Sequence, residues 1–220
     1  SSLTLYAAGY DADGNYLLAV DAEWSVSGSL DGVPATGTSI VFDPTTPNTS
    51  GIILAESSGV SSDATGLITV GTGALDHIVI RDAESGSGSI VETLSMTTDE
   101  TRVFYLAGYD QDENFIRDVN AQWSVQGDIG NLSTGESFAA STVFTASSIG
   151  TGTVQADTLT FQDQTGLITV TGGDLSYLLV RDGALGGGNE VGPVTMTTDS
   201  SLTLYAAGYD ADDNYLSDVN

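Results

Sequence analysis

The chain has 220 residues and a net charge of −26, which arises from 30 acidic and 4 basic residues. A surface with that field repels nucleic acid and anionic lipid, so nucleic-acid binding is excluded as a function. The absence of cysteine excludes disulfide bonds and thiolate chemistry. No apolar run approaches the roughly 18 residues of a membrane helix, so membrane insertion is not expected. An apolar fraction of 40% is enough for a folded core.

Short apolar or alternating runs follow one another along the chain, separated by clusters of Gly, Asp, Asn, Ser and Thr. This pattern is typical of strands in a sandwich, and no segment shows a helical period with caps. Between residues 75 and 172 it predicts strands near 75–81, 90–96, 101–109, 119–126, 137–145, 152–157 and 166–171. Alternation from Ala121 places Trp123 and Val125 on the same face. We therefore expect Trp123 in the core of an all-β, immunoglobulin-like sandwich.

The sequence repeats with a period of about 100 residues. The run from Leu3 to Asp11 returns twice, at 102–110 and 202–210, and Gly66–Val70 returns at 166–170. The predicted domains are 1–72, an immunoglobulin-like unit lacking its first strand; 73–172, a complete unit; and 173–220, the opening part of a third. The joints at 71–74 and 171–174 are short, which favours a semi-rigid tandem array.

The residues that recur also form a pattern that can be compared with known families. The pattern Leu-x-Ala-x-Gly-x-Asp, then Asp-x-Asn, then Val-x-Ala-x-Trp-Ser-Val, resembles the bacterial immunoglobulin-like (Big, invasin-type) repeat domains of extracellular surface proteins. The closing Gly-Leu-Ile-Thr-Val is similar too. The resemblance implies tandem immunoglobulin-like sandwiches and an extracellular or cell-surface setting, because members of that family are mostly spacers and adhesive arrays.

Each copy of the repeated strand ends in an Asp-x-Asp-x-Asn turn. Oxygen ligands at positions 1, 3 and 5 match the first half of a calcium loop, but Ala22 and Ala121 stand where its closing Glu is required. Two interpretations stay open: a calcium site completed by other oxygens, or a tight turn held by local hydrogen bonds. The candidate metal ligands are Asp11, Asp13, Asn15, Asp110, Asp112, Asn114, Asp210, Asp212 and Asn214.

Tyrosines cluster in the same motif. If the leucines of the strand face inward, its tyrosines form an outward stripe that repeats every 100 residues or so. Exposed aromatic pairs suit protein contacts or sugar stacking, and the alternative is a merely amphipathic sheet. The candidate interface residues are Tyr6, Tyr10, Tyr105, Tyr109, Tyr205 and Tyr209.

Two tripeptides, at Asn48 and Asn131, fit the N-glycosylation pattern and are candidate surface sites. No catalytic residues are expected. His77 is the single histidine and Tyr177 replaces it in the matching position, so a repeated Ser-His-Asp arrangement is impossible. A repeated surface turn also offers carboxylates no shared cleft for acid–base work. The sequence predicts a protein that is not an enzyme and requires no cofactor, with Ca²⁺ as the one candidate ion.

The leading interpretation is a structural extracellular repeat protein: a stalk, an adhesin shaft or a filament subunit that associates with itself. The alternative is an adhesive module that binds a glycan or a host-surface protein, with or without calcium. Because both ends cut a repeat, we expect an array that continues in both directions, with lateral contacts through the tyrosines. Alternatively, a neighbouring chain could donate the strand that the first unit lacks, and Leu175–Arg181 is a strand of the type that could be donated.

Overall fold

The computed structural model describes residues 1–135 and 137–220, and within them the chain is all-β with no helix. No candidate membrane-spanning helix occurs in that part of the chain. The first strands are β1 (Leu3–Tyr6), β2 (Ala8–Tyr10), β3 (Tyr16–Ala19), β4 (Ala22–Val26), β5 (Thr36–Gly37), β6 (Ser39–Phe42), β7 (Thr49–Gly51), β8 (Ile53–Glu56), β9 (Asp63–Ala64) and β10 (Ile68–Val70). The next are β11 (His77–Arg81), β12 (Leu94–Thr97), β13 (Thr101–Tyr109), β14 (Phe115–Asp118), β15 (Ala121–Gln126), β16 (Gly130–Leu132), β17 (Phe138–Ala139) and β18 (Ser141–Ala146). The last are β19 (Gly150–Asp157), β20 (Gln162–Gln164), β21 (Ile168–Thr171), β22 (Tyr177–Arg181), β23 (Tyr205–Tyr209) and β24 (Tyr215–Asp218).

The chain packs as two units. Unit 1 comprises Ser1–Asp76 with Tyr109–Ile116, and unit 2 comprises His77–Gly108 with Arg117–Asn220. These units follow internal packing, and the domain limits predicted from the sequence repeat, at residues 72 and 172, stay predictions.

Two sheets in unit 2 have the organisation of a β-sandwich. One has the strand order β11-β13-β18-β16, with β14 also beside β13. The other has the order β12-β21-β19-β15-β17, with β20 also beside β19. Phe104 and Phe144 of the first sheet stack at 6.4 Å, and both are buried, as are Val154 and Ile168 of the second. Burial of these apolar faces, with polar residues alternating outward, is what the period of two in the sequence demands.

Trp123 lies in the core of this pair of sheets, which confirms the prediction from the alternation. It is 3% exposed, and Ala121 beside it is fully buried. The indole Nε1–H donates to the carbonyl oxygen of Ala139 at 2.8 Å, so the one polar atom of the buried ring is satisfied.

Unit 1 uses the same local plan around Trp24. Its indole Nε1–H donates to the carbonyl oxygen of Gly37 at 2.8 Å. Trp24 pairs with Ala55 on β8, as Trp123 pairs with Ala156 on β19. Trp24 belongs to a core cluster of buried residues, whose other members are Ala22, Leu30, Ile40, Phe42 and Ile53.

A further sheet in unit 2 has the order β22-β23-β24. Tyr177 faces Tyr209 across the first pair of strands, and Arg181 faces Tyr205. The rings of Tyr177 and Tyr209 stack with centroids 5.5 Å apart.

The strand predictions need three additions and two corrections. The strand predicted at 137–145 is two strands, β17 and β18, because the first pairs with β15 and the second with β13 in the other sheet. The structure adds β14, β16 and β20, which are three or four residues long and too short to show a period. The strand predicted at 90–96 is reduced to β12, because Ile90 makes only an isolated bridge with Arg81.

Candidate functional site: the aspartate turns

The three Asp-x-Asp-x-Asn segments form the same hairpin turn. In the first, Asp11 Oδ1 accepts the backbone N–H of Asp13 at 3.0 Å and of Asn15 at 2.8 Å, and the Asn15 side-chain amide donates to both carboxylate oxygens. The second and third copies repeat these bonds. The fourth position has a left-handed backbone in every copy, with φ of 82° at Gly14, 63° at Glu113 and 67° at Asp213. This is the local hydrogen bonding that a tight turn uses.

The second turn also reaches residues far away in the sequence. Asp110 Oδ2 accepts the backbone N–H of Gly73, in the joint predicted at 71–74, at 2.8 Å. The Asn114 side-chain amide donates to the carbonyl oxygen of Thr45 at 2.9 Å. Asp110 is only 3% exposed. The hydrogen bond from Gly73, supported by those from Asn114, holds the pKa of Asp110 below its ordinary value despite burial.

The third turn repeats this arrangement with one additional donor. Asp210 Oδ2 accepts the Thr98 hydroxyl at 2.7 Å and the Gly173 N–H at 3.2 Å. The same Gly173 N–H donates to the Thr98 hydroxyl oxygen at 2.8 Å, so Thr98 and Asp210 hold it together. The Asn214 amide donates to the carbonyl oxygen of Ser147 at 3.2 Å. Asp210 is fully buried. Burial alone would raise the pKa of Asp210, but the bonds from Thr98, Asn214 and Gly173 outweigh it and the pKa is lowered.

The first turn provides a natural comparison. Asp11 is exposed, and the hydrogen bonds described for its carboxylate come from within its own turn. Its pKa is lowered mainly by the Asn15 side chain. The motif therefore has one local function, closing the hairpin, in all three copies. In the second and third copies the motif has a further function, because its first Asp accepts the N–H of a glycine in a predicted joint.

These contacts bear on the predicted calcium ligands. Calcium takes about six to eight oxygen ligands. At each turn the Asn side chain presents its N–H donors, and both oxygens of the first Asp already accept hydrogen bonds. The side chains of Asp13, Asp112 and Asp212 are exposed. No cluster of three or more His, Asp or Glu that could hold a metal ion occurs within residues 1–135 and 137–220. Calcium binding stays a prediction, and an ion would have to displace these donors.

The sequence placed Gly73 and Gly173 in the predicted joints, but it did not predict their close contacts. A Cβ placed on Gly173 would lie 2.0 Å from Asp99 Oδ2 and 2.9 Å from the Thr98 hydroxyl. A Cβ on Gly73 would lie 3.0 Å from the Cβ of Asp110. At Gly71, two residues earlier, a Cβ would meet nothing within 4 Å. Gly73 and Gly173 recur at one position of the repeat, and that recurrence was the available signal of a close approach.

The tyrosine stripe is not a uniform outward face. Tyr6 and Tyr10 are exposed at 74% and 60%, and Tyr105 and Tyr205 are half-buried. The structure buries Tyr109 and Tyr209, at 5% and 7%, so they are not placed for the lateral contact predicted for them. The physical reason is aromatic packing: Tyr109 packs edge-to-face on Phe115, and Tyr209 lies between Tyr177 and Tyr215.

The two candidate glycosylation residues are both exposed. Asn48 precedes β7 and has a φ of 58°, and Asn131 lies in the middle of β16. Their positions leave the glycosylation prediction open.

Among the carboxylates outside the turns, Asp163 binds a backbone amide of another sheet. Asp163 Oδ2, on β20, accepts the N–H of Ile80 on β11 at 2.7 Å. This bond joins the edge strand of one sheet to the other sheet of unit 2. Burial raises the pKa of Asp163, and the Ile80 hydrogen bond offsets only part of that rise. Asp63, at the matching position on β9 of unit 1, is exposed.

Unit 1 has a groove beside Asp63. Its volume is about 850 Å³. It runs between β2 and β9, and its lining includes Tyr10, Trp24, Val60 and Asp63.

No protein-family model and no curated protein sequence matches the chain. Among solved structures, domains 4–9 of the surface layer protein SbsC are similar at 16% identity and a TM-score of 0.33, covering 99% of this chain and 33% of that one. The Escherichia coli adhesin FdeC is similar at 16% identity and a TM-score of 0.39, covering 93% of this chain and 67% of that one. The chain thus spans about a third of the first of these.

Proposed function

We propose that this chain is a segment of an extracellular surface protein, where tandem immunoglobulin-like domains form a semi-rigid stalk, adhesin shaft or filament. Its function is mechanical spacing, and it is not an enzyme. The observation that carries this proposal is the pair of aspartate turns that hold joint glycines. Asp110 bonds Gly73 and Asp210 bonds Gly173, at equivalent positions of the sequence repeat.

These bonds restrict the joints in a specific way. A four-residue linker of Gly and Thr would be flexible if it were solvated. Here one amide of each linker is held by a buried carboxylate, and the neighbouring Asn amide is held by a loop carbonyl of Thr45 or Ser147. At the second joint, Asp174 N–H also donates to Asp99 at 2.8 Å. Two to four hydrogen bonds per joint oppose bending because bending would leave buried polar groups unpaired.

The setting is supported by composition and by the recurring motif. A net charge of −26 with no cysteine suits a protein that stays dispersed and needs no disulfides. The resemblance of the repeated motifs to bacterial immunoglobulin-like domains favours the cell surface.

The proposal is tested by small-angle X-ray scattering on dilute single chains. In Asp110→Asn, the amide oxygen can keep the two turn N–H groups, but the new NH₂ then faces the Gly73 N–H, donor against donor. The double variant Asp110→Asn/Asp210→Asn should therefore scatter as a more flexible particle than wild type. Asp11→Asn is the matched control, because its turn holds no joint, and it should leave the profile unchanged. A wild-type chain that already scatters as flexible beads would overturn the proposal.

A further inference from the structure

One side of a sheet in unit 2 holds most of the glutamine in the chain. The chain has six glutamines, and five of them lie on β15, β19 and β20. Residues that lie opposite one another on paired strands point to the same side of a sheet. The pairing of these strands puts all five side chains on the side away from the core. We call this surface the glutamine face; its members are Gln122, Gln126, Gln155, Gln162 and Gln164.

The first row of the glutamine face crosses four strands. Gln122 lies opposite Phe138 of β17 on one side and Asp157 of β19 on the other, and Asp157 lies opposite Gln162 of β20. Neighbouring strands lie about 4.8 Å apart, so the row from Phe138 to Gln162 spans roughly 15 Å. Phe138 is 52% exposed. The row therefore presents amide groups with an accessible aromatic ring at one edge.

The amide groups of the face are available to a ligand. Gln155 and Gln164 lie opposite one another in the second row, on β19 and β20. Among the described residues, the side chain of Gln126 is the one member of the face with a hydrogen bond inside the chain, a long one to the Ser124 hydroxyl at 3.5 Å. Each of the other amides offers two N–H donors and a carbonyl acceptor that water or a ligand can use.

The face carries little charge although the chain is strongly acidic. Asp157 is the single acidic residue in the rows that hold the five glutamines, and its Oδ1 accepts the Leu159 N–H at 2.8 Å in the turn after β19. In unit 1 the matching pair is Glu23 opposite Glu56, and residues 1–76 contain no glutamine. Unit 1 forms the equivalent strands without glutamine, so the fold does not require the glutamine face.

The composition of the face favours one class of partner. Protein contacts are centred on buried aromatic and apolar anchors, whereas this face has one exposed ring, at its edge. A second copy of the chain would also bring a net charge of −26, and an acidic glycan would be repelled by the same field. An uncharged polysaccharide avoids both costs. Its hydroxyl groups donate and accept hydrogen bonds as amides do, and the apolar side of a sugar ring can stack on an aromatic ring.

We propose that the glutamine face of unit 2 binds an uncharged polysaccharide. The amides of Gln122, Gln155 and Gln164 bond its hydroxyl groups, and the ring of Phe138 stacks on a sugar ring. An open sheet surface suits an extended polymer, because small ligands are held in concave pockets. The shaft would then adhere along its side as well as act as a spacer. This inference goes beyond the proposed stalk and does not depend on its joints.

The first test is native gel electrophoresis in gels that contain a dissolved polysaccharide. A chain of net charge −26 migrates quickly, so binding is measured as retardation. The probes are hydroxyethyl cellulose, dextran and galactomannan, which are uncharged, and alginate, which is acidic. We expect at least one of the uncharged polymers to retard the wild-type chain, and we expect alginate not to retard it.

Variants of the face assign the binding to it. Gln155→Ala/Gln164→Ala should weaken binding about tenfold, the effect of losing two or so net hydrogen bonds. Its melting temperature should stay unchanged, because neither side chain has a hydrogen bond to another described residue. Phe138→Ala should weaken binding as well. Gln111→Ala is the matched control, because Gln111 is the sixth glutamine, is exposed and lies in the second aspartate turn, away from the face.

NMR on the wild-type chain gives a second measurement that needs no variant. Short oligosaccharides of the polymer that retards the chain should shift the side-chain amide signals of the face and leave those of Gln111 in place. Retardation by none of the three uncharged polymers, or binding that survives Gln155→Ala/Gln164→Ala, would overturn the proposal. So would a wild-type dimer that this double variant disperses, because the face would then bind a second copy. None of these measurements reports on the joints, so failure here leaves the stalk proposal standing.

Discussion

The equivalent tryptophans of the two units should differ in what they contribute to stability. Trp123 is 3% exposed and lies between two sheets, while Trp24 is 8% exposed and also lines the open groove. Truncating a buried Trp to Ala costs about 3–5 kcal/mol, and the cost depends on how far the site can collapse or fill with water. We expect Trp123→Ala to fall within this range and Trp24→Ala to fall at its lower end or below, because the groove already admits solvent.

The assay is guanidinium unfolding followed by far-ultraviolet circular dichroism, with calorimetry to separate the transitions of the two units. Trp123→Phe and Trp24→Phe serve as controls that keep an aromatic ring but remove the indole donor to Ala139 or Gly37. A near-neutral Trp123→Ala would refute the placement of the Trp123 side chain between the sheets. Equal losses at the two positions would show that the groove is closed in solution.

Four further outcomes follow from the joints and the charge. Gly173→Ala should lower the melting temperature, because the new Cβ would lie 2.0 Å from the Asp99 carboxylate oxygen Oδ2. Gly71→Ala should leave the melting temperature unchanged, because its Cβ would meet nothing within 4 Å. Calorimetry on the two variants checks this. The pKa of Asp110 and of Asp210 lies below the ordinary 3.8 in the folded state, so their stabilisation is complete above that pH and is lost as the pH falls below it. An acid titration of the melting temperature should therefore be flatter in Asp110→Asn/Asp210→Asn, and an unchanged titration would contradict the assignment. The melting temperature should also rise with NaCl, since a net charge of −26 repels itself. Millimolar calcium at matched ionic strength should add nothing while N–H donors occupy the turns, and a further rise would establish the predicted ion site.

The sequence was sufficient to predict those parts of the fold that depend on a local pattern of residues. Alternation around Trp123 predicted which face of β15 is buried, because one side of a strand must leave water. It could not predict β20, whose three residues are Gln, Asp and Gln. That strand forms by antiparallel pairing with β19, and its Asp163 accepts the amide of Ile80, a contact across 83 residues of sequence.

The candidate site shows the same division. The Asp, Gly and Asn content of these segments offered a tight turn held by local hydrogen bonds as one of two interpretations, and all three copies form those bonds. The contact between Asp110 and Gly73 spans 37 residues, so no local pattern could reveal it. Burial of Tyr109 was mispredicted because strand alternation describes one sheet, and this side chain packs on Phe115.

The most direct test of the central claim is amide hydrogen exchange, measured by NMR, at the two joint glycines. If buried carboxylates hold the joints, the amides of Gly73 and Gly173 should be protected in wild type and in Asp11→Asn. Gly73 should exchange at the rate of open backbone in Asp110→Asn. Gly173, whose N–H donates to the Thr98 hydroxyl oxygen at 2.8 Å as well as to Asp210, should do so in Thr98→Ala/Asp210→Asn, while the amides around Trp24 and Trp123 keep their protection. Joint amides that exchange freely in wild type, or that stay protected in both variants, would contradict the account.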